Sequence, residues 1–256
     1  MKCNISLRKT FDAIFRQPYF FKKFLIGGVF SLLATLLMNL YTFLYFPTVI
    51  KSVGLSILIL TIGIFGVLLH FVLTCLLIGY NVKFMHNIIH DKEEILPCWS
   101  RCNELFMLGV KWLGISIIYF ITVITISFLL TAICMIPCNL FPILSFLYLI
   151  PLVFIAVASS MLPLLQTMFA HNFEISDAFN LVRATNIILG NFWQYLMLLS
   201  IIFGVYLLAL IPYTLSALTI IGIILIPFLA FIVKLIVSNL FAQFYKLTFE
   251  KGKMNE

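Results

Sequence analysis

Acidic charge is what this sequence has least of: 9 Asp and Glu stand against 16 Lys and Arg, and charged residues make up only 10% of the chain. None of those carboxylates falls inside a long apolar tract. That absence argues against a transporter coupled to protons or sodium through acidic residues, and against hydrolysis by paired carboxylates. A phosphate-cradling glycine loop and an H-E-x-x-H helix are also missing. Polar surface is too sparse for a soluble body, with 63% hydrophobic residues and a mean hydropathy of +1.17. No soluble core could hide that much apolar surface.

What is present is a set of charge-free tracts. Residues 24–50 and 52–82 each have room for one bilayer crossing, and 112–170 and 184–233 each have room for two. A hydrocarbon core of roughly 30 Å needs about 20 apolar residues per helix, so the tracts predict six spans. They fall near 24–46, 54–80, 112–136, 142–169, 192–212 and 215–234. These spans and their connections nearly use up the 256 residues, which predicts an all-α integral membrane protein with one polytopic domain over 1–256. The net charge of +7 raises nucleic acid as a partner. The basic residues border apolar helices, however, and form no continuous polar face, so the bilayer is the expected partner and nucleic acid is not.

A charged stretch of 23 residues precedes the first apolar run, which is itself too long for a signal-peptide core, so the first span is expected to remain in the mature protein. Lys and Arg near span ends set orientation. Lys2, Arg8, Lys9, Arg16, Lys22 and Lys23 precede span one, and Lys83, Lys92, Arg101 and Lys111 separate spans two and three. Arg183 lies between spans four and five, and Lys246, Lys251 and Lys253 follow span six. Lys51 alone falls on the other side. Lys234 ends an uncharged run of nineteen residues from Leu215, about 28 Å at 1.5 Å per residue, and is expected to reach water at the boundary along its apolar stem. Both termini should therefore be cytoplasmic, in a plasma membrane.

Tight outer connections are expected at Phe46 to Lys51, at Pro137 to Pro142 and at Pro212 to Leu215, because proline removes a donor and clashes with the preceding turn. They would make three hairpins, each preceded by a cytoplasmic amphipathic helix near 5–16, 100–110 and 175–189. In the first, Leu7, Phe11, Ile14 and Phe15 oppose Arg8, Lys9, Asp12 and Arg16. In the second, Cys102, Leu105, Phe106 and Gly109 oppose Ser100, Glu104 and Lys111. In the third, Ile175, Ala178, Phe179, Val182 and Leu189 oppose Ser176, Asp177, Asn180 and Arg183. The threefold plan rests on pattern, since identity between the units is slight. Such helices lie in the headgroup region, where a basic face favours anionic inner-leaflet lipids. Arg8, Lys9, Arg16, Trp99, Trp112, Trp193 and Lys234 are the expected interfacial anchors.

The stretch from Gly79 to Gly109 carries a resemblance. It contains Gly79-Tyr80 closing a span, the turn Leu96-Pro97-Cys98-Trp99, and Leu105-Phe106-Met107-Leu108-Gly109. This segment resembles the bacterial and archaeal membrane-protein family called domain of unknown function 4013 (DUF4013). That family often has glycine where Lys92 stands and an acid where Cys98 stands. The resemblance implies six spans and a late interfacial helix, and it implies no activity, ligand or site residues.

His86, His90, Cys98 and Cys102 form the one constellation shaped like a metal site, H-x3-H followed by C-x3-C. Structural zinc sites use tighter knuckles, so two interfacial histidines and two apolar cysteines is the preferred reading, with no metal or other cofactor expected. Cys134 and Cys138 could close only a tiny loop and are expected to pack. His70 lies near the middle of span two, where an ionisable group is a functional candidate by default, and Gln166 is the second member of a candidate polar pathway. Asn39, Ser159 and Ser160 are scattered by comparison. The residues together predict a non-enzymatic membrane-organising or assembly component, in contact with lipid and other membrane proteins. The alternative is a permease or transporter subunit for a small solute.

Overall fold

The computed structural model describes residues 5–44, 53–140 and 146–254. These residues hold no strand, and their α-helices run in the order α1 (Leu7–Phe15), α2 (Phe20–Leu44), α3 (Val53–Ile89), α4 (Cys102–Leu140), α5 (Leu149–Asn172), α6 (Ile175–Phe179), α7 (Leu181–Gly190), α8 (Phe192–Ala217) and α9 (Ile220–Met254). Six of them, α2, α3, α4, α5, α8 and α9, are long and apolar enough to cross a bilayer. Neighbours in the chain pack together, α2 on α3, α4 on α5 and α8 on α9, while α9 also meets α2, α3 and α5.

Local chemistry decides where several helices begin. The Ser6 hydroxyl accepts from the Lys9 amide to open α1, and Asn180 Oδ1 accepts from the Arg183 amide at 2.9 Å to open α7. Thr219 Oγ1 accepts from the Gly222 amide at 2.9 Å ahead of α9. That cap corrects the last expected turn. The break between α8 and α9 falls at residues 218–219, and Pro212 is carried inside α8. The expected turn at Phe46 to Lys51 lies outside the described residues, and the Pro137 to Pro142 stretch is described only to Leu140, to which α4 continues.

The three amphipathic segments meet different fates. The first forms as α1, but its buried residues are Thr10 and Ile14, whereas Phe11 and Phe15 stay exposed. The expected separate helix at 100–110 does not exist. After one 3-10 turn at Trp99–Arg101, the chain enters α4 and continues unbroken for 39 residues. The reason is a close crossing with α3: a Cβ at Gly79 would overlap the Leu105 carbonyl, and one at Gly109 would overlap the Cys75 carbonyl. Leu105 and Leu108 are buried beside it. The third segment splits at Asn180 into α6 and α7.

Length positions the core. At 1.5 Å per residue the 37 residues of α3 measure about 55 Å, well beyond a hydrocarbon thickness of roughly 30 Å. The surplus lies at the end that holds α1 and the close of α9. There Tyr80, Val82, Phe84, Met85, Leu164, Phe169, Leu240 and Phe244 are at most 1% exposed, while Phe65, Leu68, Phe128 and Leu208 farther along the spans are 59–73% exposed. The molecule is thus tightly packed at its charged end and open to lipid along its spans.

Candidate functional site

The candidate site is the charged end itself. Tyr80 stacks on Trp99 with ring centroids 4.3 Å apart and planes 15° from parallel, and Phe30 meets the Trp99 ring edge-on at 5.1 Å. The Trp99 indole donates to the Lys23 carbonyl at 2.9 Å. Lys23 returns the connection, its ammonium donating to the Leu96 carbonyl at 2.7 Å with Glu94 at 3.6 Å. Asn87 Nδ2 donates to the carbonyls of Glu94 and Ile95 at 3.2 and 3.1 Å. The Leu96-Pro97-Cys98-Trp99 turn is therefore a clasp between α2 and α3.

A second group surrounds the end of α5. Phe173 caps it with φ 60°, a left-handed backbone that a bulky residue adopts only when its neighbours hold it. Here the ring stacks on His86 at 4.3 Å and receives the Lys83 ammonium at 5.0 Å. Lys83 is ion-paired with Glu104, which also faces Arg101 at 3.8 Å. His86 Nδ1 lies 2.8 Å from the Ala170 carbonyl and His90 Nε2 lies 2.9 Å from the His171 carbonyl, so both rings serve as donors to helix-end carbonyls that lack intrahelical partners. His171 stacks on His90 at 5.2 Å.

That arrangement places the residues of the metal-like constellation apart. His86 and His90 turn to the end of α5, whereas Cys98 donates to Glu94 at 3.7 Å and Cys102 to the Trp99 carbonyl at 2.8 Å. Among the described residues no group of three or more His, Cys, Asp or Glu is arranged to hold a metal ion. Cys134 is a free, buried thiol.

The pathway pair is likewise separated. His70 Nδ1 meets the Ala34 carbonyl at 2.9 Å and its Nε2 faces the Thr74 hydroxyl at 3.4 Å. Thr167, next to Gln166, donates to Met85 at 3.8 Å. Met85 lies fifteen residues beyond His70 on α3, so the two candidates differ in depth by about 22 Å. Asn39 and Ser160 spend their side chains on their own helices.

Two of the expected anchors need correction. Trp99 and Trp112 are 8% and 5% exposed, packed on Tyr80 and Phe169 instead of facing headgroups. Trp193 is 78% exposed, and Arg8, Lys9, Arg16 and Lys234 are exposed too. Phe231 packs against Gly27 near the start of α2, so Lys234, almost one turn farther on α9, lies near the level of Lys22 and Lys23.

A third group escaped the sequence reading. Thr10 donates to Asn239 Oδ1 at 3.0 Å, Gln243 Nε2 donates to Thr10 at 3.0 Å, and the Ser6 amide donates to Gln243 Oε1 at 3.3 Å, fastening α1 to α9. The signal was available as two amides four residues apart in an apolar helix. Arg183 similarly ties α7 to Asp177 at 3.6 Å and to the Tyr245 hydroxyl at 3.3 Å. The Asn81 side-chain amide and the Tyr80 hydroxyl are buried without a hydrogen-bond partner among the described residues.

These features define a polytopic α-helical membrane protein whose polar side chains converge at one end of the bundle. The family described as Protein of unknown function (DUF4013) matches residues 62–219, more than half of the chain. The chain belongs to that family. The match includes the Gly79 crossing, the Leu96–Trp99 turn and the Phe173 cap, while Lys23 and Phe30 of the clasp lie before it. Comparison with curated proteins and with solved structures finds no match.

Proposed function

We propose that the protein is a non-enzymatic membrane-organising or assembly component of a bacterial plasma membrane, with its charged end and both termini in the cytoplasm. The observation that carries this reading is the apolar surface left uncovered beside the packed end. On α6 and α7, Ile175, Phe179, Val182 and Leu189 are 40–73% exposed, and Trp193 follows at the start of α8. Phe11, Phe15 and Tyr19 are exposed around α1. Helices fastened to a rigid body with apolar faces outward enter the headgroup region or meet another membrane protein. Basic Arg8, Lys9 and Arg16 beside α1 favour anionic lipid. Chemical crosslinking in intact membranes is expected to capture lateral assemblies that Val182→Ser with Leu189→Ser disperses while insertion persists. Unchanged assemblies would sink the reading.

The second reading, a permease subunit, draws on the Tyr80 hydroxyl and the Asn81 side-chain amide, buried inside the bundle without a partner among the described residues, since such groups often line a path. Uptake of a small solute that depends on the protein and collapses on Asn81→Leu, or on His70→Ala with Gln166→Ala, would favour it over assembly.

A further inference from the structure

A cavity of about 360 Å³ opens between α1, the end of α3 and the end of α9, and it accounts for lysines that neither the clasp nor the helix-end cap employs. Its titratable wall groups are Lys9 from α1, Asp91 and Lys92 after α3, and Lys246 from α9. Asp91 is ion-paired with Lys246. The ammonium groups of Lys9 and Lys92 have no ion-pair partner among the described residues, so the cavity retains an excess of positive charge. Asn239 adds a neutral donor. Its Oδ1 accepts from both Thr10 and Gln243, which fixes the amide and leaves Nδ2 without an acceptor among the described residues. Asn239 is 1% exposed and lines the same cavity.

We infer that this cavity binds a phosphate group. Lysines serve as point charges for phosphate, the Asn239 amide supplies a directed hydrogen bond, and the volume lies at the lower end of ligand pockets, about 300–1,000 Å³. Ala13, Ile88 and Leu247 add an apolar rim suited to a short carbon substituent on the phosphate. The site lies outward of the Lys22, Lys23 and Lys234 level: Asn239 and Gln243 are five and nine residues beyond Lys234, about 8 and 14 Å along α9. A phosphate can reach that depth from a phosphoglycerol lipid headgroup or from solution. The inference does not require the assembly role, because a permease or a scaffold could carry the same site.

The test uses the full chain in an uncharged detergent, titrated separately with inorganic phosphate, glycerol 3-phosphate and short-chain phosphatidylglycerol. Binding is read by native mass spectrometry and by the shift in thermal unfolding. At least one probe is expected to bind saturably at one site. Binding of phosphatidylglycerol alone identifies a headgroup source, and binding of glycerol 3-phosphate or phosphate identifies a soluble one. Lys9→Met with Lys92→Met should weaken binding about 25-fold, near fivefold for each basic residue removed. Both side chains are exposed, so the unfolding midpoint without ligand should hold. Lys111→Met, on α4 and outside the cavity, should leave affinity unchanged. No saturable binding by any probe, or equal weakening by Lys111→Met, overturns the site.

Discussion

Tryptophan shows how much a single position conceals at the residue scale. Trp99, Trp112 and Trp193 occupy equivalent places in the sequence, each where a polar segment meets an apolar run. Depth along the chain is legible there, but the direction in which a ring points is not, and only Trp193 faces outward. Trp99→Ala removes the Tyr80 stack and the hydrogen bond to Lys23, so a loss of about 3–5 kcal/mol is expected, measurable by thermal or denaturant unfolding in detergent. Trp193→Ala should change stability by no more than about 0.5 kcal/mol. In variants that keep one tryptophan and carry phenylalanine at the other two positions, brominated lipids should quench Trp193 and spare Trp112. Equal quenching would place the Trp112 ring in lipid and contradict its packing on Phe169.

At the scale of elements, the contact of α3 with α4 separates glycines that look alike in sequence. Gly109 and Gly114 lie five residues apart on α4, yet a Cβ at Gly109 would strike the Cys75 carbonyl whereas one at Gly114 would meet nothing within 4 Å. Backbone cannot yield as a flexible side chain can. Gly109→Ala is therefore expected to cost about 1–3 kcal/mol through forced separation of the helices. Gly114→Ala should be neutral or stabilise by up to about 1 kcal/mol, since it removes only the helix penalty of glycine. Thermal unfolding of the two variants side by side checks the contrast. The same crossing explains why the amphipathic pattern at 100–110 misled: Leu105, Phe106 and Gly109 of its apolar face meet α3 instead of the headgroup region, while Cys102 stays exposed.

The whole molecule divides into a packed end and lipid-facing spans, and orientation belongs to this scale. Among the described residues Lys83, Lys92, Arg101, Lys111, Arg183 and Lys246 gather at the packed end, with α1 and its Arg8, Lys9 and Arg16. With that end in the cytoplasm, a cysteine replacing Lys51 should react with a membrane-impermeant maleimide on intact cells and one replacing Lys92 should not. Labelling at position 92 from outside would reverse the proposed topology and move the phosphate cavity to the other compartment.

The sequence by itself determined six spans and the gathering of basic residues at a few boundaries, because span length and charge placement are one-dimensional quantities that the bilayer reads directly. The short motif from Gly79 to Gly109 carried the resemblance to DUF4013 that the family match shows. It did not determine which polar residues meet. His86 and His90 share a helix face with a ligand-like spacing, but their partners are α5 carbonyls, and Asn239 and Gln243 gain their role only when α1 lies against α9. Those outcomes depend on helix rotation and on approach distances set by Gly79 and Gly109, which act between segments far apart in the chain. Tertiary structure alone therefore decided that Trp99, Trp112 and Lys23 are core, and that Lys9 and Lys92 face one cavity.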